Sequence, residues 1–243
     1  VEQVVRKGQS HAIYLAKELL SGPMIMAFVD TLIEADLSGI KDDPDTALVW
    51  VKAVEDPRRF GVTEKNADGT VKRLIEKPDT KENDLAMVGF YYFPEAKDLV
   101  SAIEHQIEED IQLKGEYFLA DAVNIMLERG LKMKPAEVDV WLDAGLPETV
   151  LETNQYLLDN GRSNAPSFAE EDDVKIIEPV FIDPTATVKN SNIGPHVSIG
   201  ANCTVTKSFI SDSVVEPDAV IHDSILEHSI IGARAIVNDA DNM

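Results

Sequence analysis

From Ile176 onward the chain carries a short period that few folds can satisfy. In "FIDPTATVKNSNIGPHVSIGANCTVTKSFISDSVVEPDAVIHDSILEHSIIGARAIV", aliphatic residues fall at Ile182, Val188, Ile193, Ile199, Val205, Ile210, Val215, Ile221, Leu226, Ile231 and Val237, always five or six apart. Glycine follows the aliphatic at Ile193-Gly194, Ile199-Gly200 and Ile231-Gly232. This hexapeptide-type period predicts a parallel β-helix over 176–243, in which each short strand sends an aliphatic into a prism and the chain turns on small residues. Cys203 stands four residues after Ile199, where such a coil needs a small side chain, and reads as a buried structural thiol. It is the only cysteine, so an internal disulfide and a cysteine metal cluster are both excluded. Coils of this kind bury little alone; they stack and associate through flat faces, which predicts a homo-oligomer.

Residues 1–160 have a different texture. "PMIMAFVD" (23–30), "TALVWVKAV" (46–54) and "AMVGFYYF" (86–93) are strand-like apolar runs rich in β-branched and aromatic residues. Helix-like segments cover 10–20, 95–110 and 119–130, with Gly130 placed to stop the last. Strands alternating with helices predict an α/β domain whose mixed, mostly parallel sheet is covered on both faces. "NADGT" (66–70) supplies a hairpin turn. Between the two textures, 161–175 reads as a linker: the stretch around it, "DNGRSNAPSFAEEDD" (159–173), is polar and lacks periodicity.

Charge narrows the function. With 44 acidic against 22 basic residues the net charge is −22, which repels a phosphate backbone and excludes nucleic acid without a basic patch. No apolar stretch approaches the roughly 20 residues a bilayer span requires, and no signal peptide is visible, so the expected location is cytoplasmic and off the membrane.

Three constellations could carry chemistry. Asp30 and Asp143 each end an apolar run. In open parallel sheets ligands sit beyond the carboxyl ends of strands, where such a pair would suit Mg²⁺. Spacing alone equally allows each to cap a following helix, Asp30 before "TLIEADL" and Asp143 before "PETVLE". In "RLIEKPD" (73–79), Glu76 and Lys77 put an acceptor beside a cation, the pairing a sugar phosphate needs; a solvated ion pair at a strand end is the plainer alternative. In "EQVVRKGQSHAI" (2–13), Gly8 either admits a close ligand or only turns the chain into a helix.

Together and in this order these stretches resemble the sugar-1-phosphate nucleotidyltransferases, the glucose-1-phosphate thymidylyltransferases and their uridylyltransferase relatives. The similarity runs over nearly the whole chain. Gln3 and Gly8 match a segment whose Gln and Gly contact the nucleobase. "AFVDT" (27–31) matches the strand end that supplies one metal carboxylate, Asp30. "FGV" (60–62) places the Gly61 backbone near the sugar, and "EKP" (76–78) assigns Glu76 to ring hydroxyls and Lys77 to the phosphate. "MVGFYYF" resembles the sugar-flanking strand through Gly89, and "GEYFLADAVNIMLERG" (115–130) resembles the family's Thr-Asp-Ala helix. "WLDAG" (141–145) supplies the second metal carboxylate, Asp143.

The resemblance thus implies an incomplete Rossmann-like nucleotidyltransferase domain over 1–160, followed by a left-handed β-helix. It implies transfer of a nucleotidyl group from dTTP or UTP to a sugar 1-phosphate, glucose 1-phosphate above all, with Mg²⁺ as cofactor. Asp30, Asp143 and Lys77 are the catalytic set. Gln3, Gly8, Gly61, Glu76, Lys77 and Gly89 bind substrate. Ser10 and Val29 depart from the family's Ala and Gly. The family's opening strand and glycine-rich triphosphate loop have no counterpart ahead of Gln3, so the stretch reads as part of a longer polypeptide. Two other functions fit less of the pattern. One is a non-catalytic homologue that oligomerises through the β-helix. The other is an acyltransferase using His196, His222 or His228.

Overall fold

In the computed structural model, residues 1–164 and 172–242 are described, and the chain divides into two compact units, Val1–Trp141 and Leu142–Met243. Part of the expected linker, residues 165–171, lies outside the described residues. Among them no helix is long and apolar enough to cross a membrane.

The first unit runs α1 (Gln9–Leu15), β1 (Met24–Ala27), β2 (Thr31–Glu34), α2 (Ser38–Asp42), β3 (Ala47–Ala53), β4 (Gly61–Lys65), β5 (Val71–Glu76), β6 (Leu85–Phe93), α3 (Ala96–Glu108), α4 (Leu119–Glu128) and β7 (Met133–Glu137). Its main sheet is mixed, in the order β5-β4-β6-β3-β7, with β1 also on β6. The β3–β7 pair is parallel, with α3 and α4 in the connection that leads from β6 to β7; the described pairs of β1, β3 and β4 with β6, and of β4 with β5, are antiparallel. β4 and β5 form the hairpin expected at "NADGT", closed by Asn66 N–H donating to Thr70 O.

Both faces of β3 are covered, which is why its sequence is a continuous apolar run instead of an alternation. Ala47, Val49 and Val51 face a core with α3 and α4, while Leu48 and Trp50 face a second core with Val88, Tyr92 and Val138. Each large side chain buried this way contributes about 1.5–3 kcal/mol. Strand β5 lies at the sheet edge, and α4 blunts it. Asn124 Nδ2 donates to Leu74 O (2.9 Å), and Leu74 N–H donates to Asn124 Oδ1 (2.8 Å), as a neighbouring strand would. Among the described residues β1 pairs only with β6, and nearby Ile25 and Val29 are exposed.

The second unit contains α5 (Pro147–Leu157) and a parallel β-solenoid of about four turns. The aliphatics read from the sequence form three inward columns. Ile182, Ile199, Val215 and Ile231 are in register, as are Val188, Val205, Ile221 and Val237, and Ile193, Ile210 and Leu226. The corners turn through left-handed backbone in matching columns: Asn190, Lys207, Asp223 and Asp239; His196, Asp212 and His228; Asn202, Asp218 and Arg234. Asn and Asp tolerate that conformation because their short polar side chains bond locally. Cys203 is buried as expected; its thiol donates to Glu216 O, and burial pushes it above the ordinary thiol range.

Helix α5 falls inside the first of the two textures, yet its polar bonds go to the solenoid. Asn154 Nδ2 donates to His196 O, Ser198 Oγ donates to Asn154 Oδ1, and Gln155 Nε2 donates to Asp212. The unit boundary therefore falls at Trp141/Leu142, ahead of the change in texture near residue 160.

Beside one corner, buried serines form a ladder. Ser208 Oγ donates to Thr206 O and accepts from Ser224 N–H, 16 residues further on, one coil up. Ser208→Ala leaves the buried Ser224 N–H without an acceptor, which costs about 1–3 kcal/mol. Urea unfolding followed by a solenoid signal is expected to show a lower midpoint with an unchanged slope; an unaltered midpoint would show that the ladder adds nothing.

Candidate active site

Neither strand-end carboxylate caps a helix. Residues after Asp30 form strand β2, not a helix, so Asp30 caps nothing; it stands exposed in the turn after β1. Among the described residues it has no hydrogen-bond or ion-pair partner. Asp143 ends β8 (Val140–Asp143), and α5 begins only at Pro147, with Leu146 at the N-cap and its N–H taken by Thr149 Oγ1. Asp143 is also exposed, and its Oδ1 accepts from Gly145 N–H at 3.0 Å. Each is an exposed carboxylate with an oxygen to spare, a hard donor of the kind Mg²⁺ takes. They belong to different units, Asp30 to the first and Asp143 to the second.

The other candidates lie in the first unit. Strand β5 pairs with β4 so that Glu76 stands opposite Gly61. A Cβ on Gly61 would lie 2.8 Å from Glu76 Oε2 and 2.2 Å from Met87 Cε, so the ends of both side chains occupy the space that glycine leaves open. Lys77 then takes a left-handed conformation (φ 46°), its N–H donating to Phe60 O, and the strand stops before Pro78. The alternative of an ion pair at the strand end is not what forms: no carboxylate among the described residues lies within ion-pair distance of the Lys77 ammonium. Its Nζ instead sits 5.2 Å from the centroid of the Phe118 ring.

Glu76 is half-buried. Burial raises its pKa; the Lys77 charge opposes the shift and Asp121 adds to it. Burial also raises Asp121, in the first turn of α4. Tyr91 is buried beside this group, its hydroxyl donating to Met87 Sδ; burial, then the Glu76 charge, hold its pKa above the ordinary phenol range.

Gly89 has φ 75°, and a Cβ there would meet the Phe28 ring at 2.6 Å. Phe28 N–H donates to Gly89 O at 2.9 Å. Gly89 therefore seats the turn that carries Asp30 against β6. Gln3 and Gly8 are brought together by Gln3 Nε2 donating to Gly8 O (3.1 Å), while the same nitrogen lies 2.9 Å from His11 Nδ1. Gly8 has φ 95° and packs on the Tyr117 backbone, 2.6 Å from where a Cβ would stand to Tyr117 O. Ser10, the departure from Ala, is buried and donates through Oγ to Phe118 O.

Sequence reasoning did not single out Phe118, Asp121 or Tyr91. A signal existed for Phe118: an aromatic at a helix N-cap, where polar residues are favoured, cannot be there to cap. The histidines considered for acyl transfer are engaged locally, His196 with Asp159, His228 with Asp212 and His222 with Thr206.

A carboxylate whose folded pKa is raised is most favourable to the fold when protonated. Its contribution is lost as pH rises from the ordinary carboxylate range through the raised value. Glu76→Gln is therefore expected to unfold at a higher temperature than the parent at pH 7, with the gap closing as pH falls toward 4. Melting curves across that range test it, and a variant less stable than the parent at pH 7 would contradict it.

A nucleotidyl transferase family model matches residues 1–160, and a GMPPB C-terminal domain model matches residues 176–241. The low-salt glycan biosynthesis nucleotidyltransferase Agl11 of Haloferax volcanii is 30% identical, over 97% of this chain and 71% of its own. A glucose-1-phosphate thymidylyltransferase of Streptomyces griseus is 30% identical over 92% of this chain and 63% of its own. The UTP–glucose-1-phosphate uridylyltransferase AglF of Haloferax volcanii is 27% identical over 63% of each. Among solved structures, the nucleoside-diphosphate-sugar pyrophosphorylase of Vibrio cholerae RC9 shares the fold at a TM-score of 0.51 and 18% identity, covering 63% of this chain and 66% of that one. By the family match over residues 1–160 and the Agl11 identity, the chain belongs to the nucleotidyl transferase family.

Proposed function

We propose that this protein transfers a nucleotidyl group from dTTP or UTP to a sugar 1-phosphate, glucose 1-phosphate first among them. The products are a nucleoside-diphosphate sugar and pyrophosphate. The observation that carries the reading is the end of β5: a half-buried carboxylate over a glycine, next to an ammonium with no ion pair among the described residues. The first suits sugar hydroxyls, and the second leaves a full positive charge for a phosphate.

In this reaction an oxygen of the sugar 1-phosphate bonds to the α-phosphorus of the triphosphate, and the bond from that phosphorus to the pyrophosphate oxygen breaks. Lys77 holds the sugar-borne phosphate and offsets charge there, Glu76 orients the ring through its hydroxyls, and the Gln3–Gly8 turn receives the base. The main contribution of these residues is positioning. Asp30 and Asp143 are the carboxylates proposed to hold Mg²⁺, which when bound supplies charge neutralisation at the reacting phosphates. Exposed Phe181, Phe209, Val220 and Ile236 on the solenoid support association of copies through it, in a protein we place in the cytoplasm.

The test is pyrophosphate release from dTTP or UTP with glucose 1-phosphate, using the full natural chain. Release is expected to stop with EDTA and return with Mg²⁺. Lys77→Ala should lower kcat/KM for the sugar 1-phosphate by roughly 10²-fold or more, and Asp143→Ala should abolish turnover. Wild-type turnover in Asp143→Ala would remove the metal assignment. No pyrophosphate with any triphosphate and sugar phosphate, from a folded protein, would favour the non-catalytic homologue.

A further inference from the structure

We propose that Phe118 is a positioning residue for the sugar-1-phosphate site: its ring holds the Lys77 ammonium in place, and its carbonyl ties that ammonium to the turn carrying Gly8. The inference rests on the reading that Lys77 binds the phosphate of the sugar 1-phosphate.

A lysine that must bind an anion poses a problem of restraint. Left alone, its four-carbon stem samples many rotamers, and ordering it on binding costs affinity. A carboxylate partner would hold it, but would also cancel its charge and compete with the incoming phosphate. An aromatic face attracts the ammonium through its quadrupole without carrying a negative charge of its own. Lys77 has that arrangement, with Nζ 5.2 Å from the Phe118 centroid and no ion pair among the described residues.

The ring is itself well fixed. Phe118 is 7% exposed and stands at the N-cap of α4, where its side chain makes no capping bond and is free to face Lys77. Its carbonyl accepts from Ser10 Oγ at 3.1 Å and from Gln106 Nε2 at 3.0 Å. One residue earlier, Tyr117 exchanges backbone bonds with the other segment: Tyr117 N–H donates to Lys7 O (2.8 Å), and Ser10 N–H donates to Tyr117 O (3.1 Å). Residues 7–10, which carry Gly8, and the ammonium of Lys77 are thus referred to the same two residues, Tyr117 and Phe118. On the far side, Asn124 clamps α4 to β5 two residues before Glu76. Moving Phe118 would displace both binding elements together.

The experiment compares steady-state kinetics of the full chain carrying Phe118→Leu, Phe118→Tyr, and a series of ring-fluorinated phenylalanines at 118. The fluorinated series keeps shape while draining the π face. Leucine keeps the backbone carbonyl and its bonds to Ser10 and Gln106. The expected result for Phe118→Leu is a KM for the sugar 1-phosphate raised about two- to fivefold, with KM for the triphosphate unchanged. Tyrosine should restore the parent value, and log KM should rise steadily along the fluorinated series. The proposal is overturned if the fluorinated proteins all share the parent KM, or if leucine and tyrosine shift both substrates equally, as a packing role would. Lys77→Ala, run alongside, separates the two ideas. If it raises KM while the fluorinated series is flat, the Phe118 proposal alone fails; if it changes nothing, the reading of Lys77 fails and the proposal with it.

Discussion

The clamp between Asn124 and the backbone of Leu74 fixes what the rest of the first unit can do. It satisfies both outward-facing backbone groups of an edge-strand residue, which would otherwise pair with water or another chain. It also sets the register of α4 against β5. Because Glu76 and Lys77 end that strand, and Phe118 and Asp121 begin that helix, the register decides which charges meet. Slide the helix by one residue and Phe118 no longer faces Lys77, while Asp121 no longer raises Glu76. A structural bond in the middle of two elements thus determines the electrostatics at their ends.

Within that frame the site is held in a costly arrangement. Desolvation disfavours the charged form of Glu76, and the nearest cation is the next residue along, too exposed to offset the cost fully. The apolar cores on both faces of β3 and β6 supply the surplus that makes this tolerable. Surface pairs follow a different logic. Asp56 is tied to Arg58, and Glu64 to Lys72 and Arg73, lowering those carboxylates below their ordinary range. Asp30 and Lys77 are without ion pairs among the described residues.

Much of this was legible in the sequence, for identifiable reasons. The solenoid was read almost column by column, because its period is enforced at each coil and each aliphatic in the register was named. Strands β3 and β6 were legible because burial on both faces demands uninterrupted apolar runs. The hairpin was legible from its turn chemistry. What failed was inference across a gap. Spacing allowed a helix directly after each of Asp30 and Asp143, but the apolar residues after Asp30 serve a strand, and two residues separate Asp143 from the N-cap residue of α5. The domain limits read from texture, 1–160 and 176–243, agree with the spans of the two family matches; the division into compact units falls earlier because Asn154 and Gln155 bond α5 to the solenoid.

The glycines show the limit most sharply. Gly61, Gly89 and Gly8 were each read as ligand-facing, and each also meets a group inside the protein: a carboxylate, a phenyl ring and a peptide plane. The two readings are compatible, because the same absence of a side chain brings a functional group close to the backbone. Gly61 is glycine so that Glu76 can lie over it; Gly89 is glycine so that Phe28 can seat the turn bearing Asp30. Glycine at such a site therefore also acts through its neighbours. It helps determine where its neighbour stands, and so leaves room for a ligand contact by either of them.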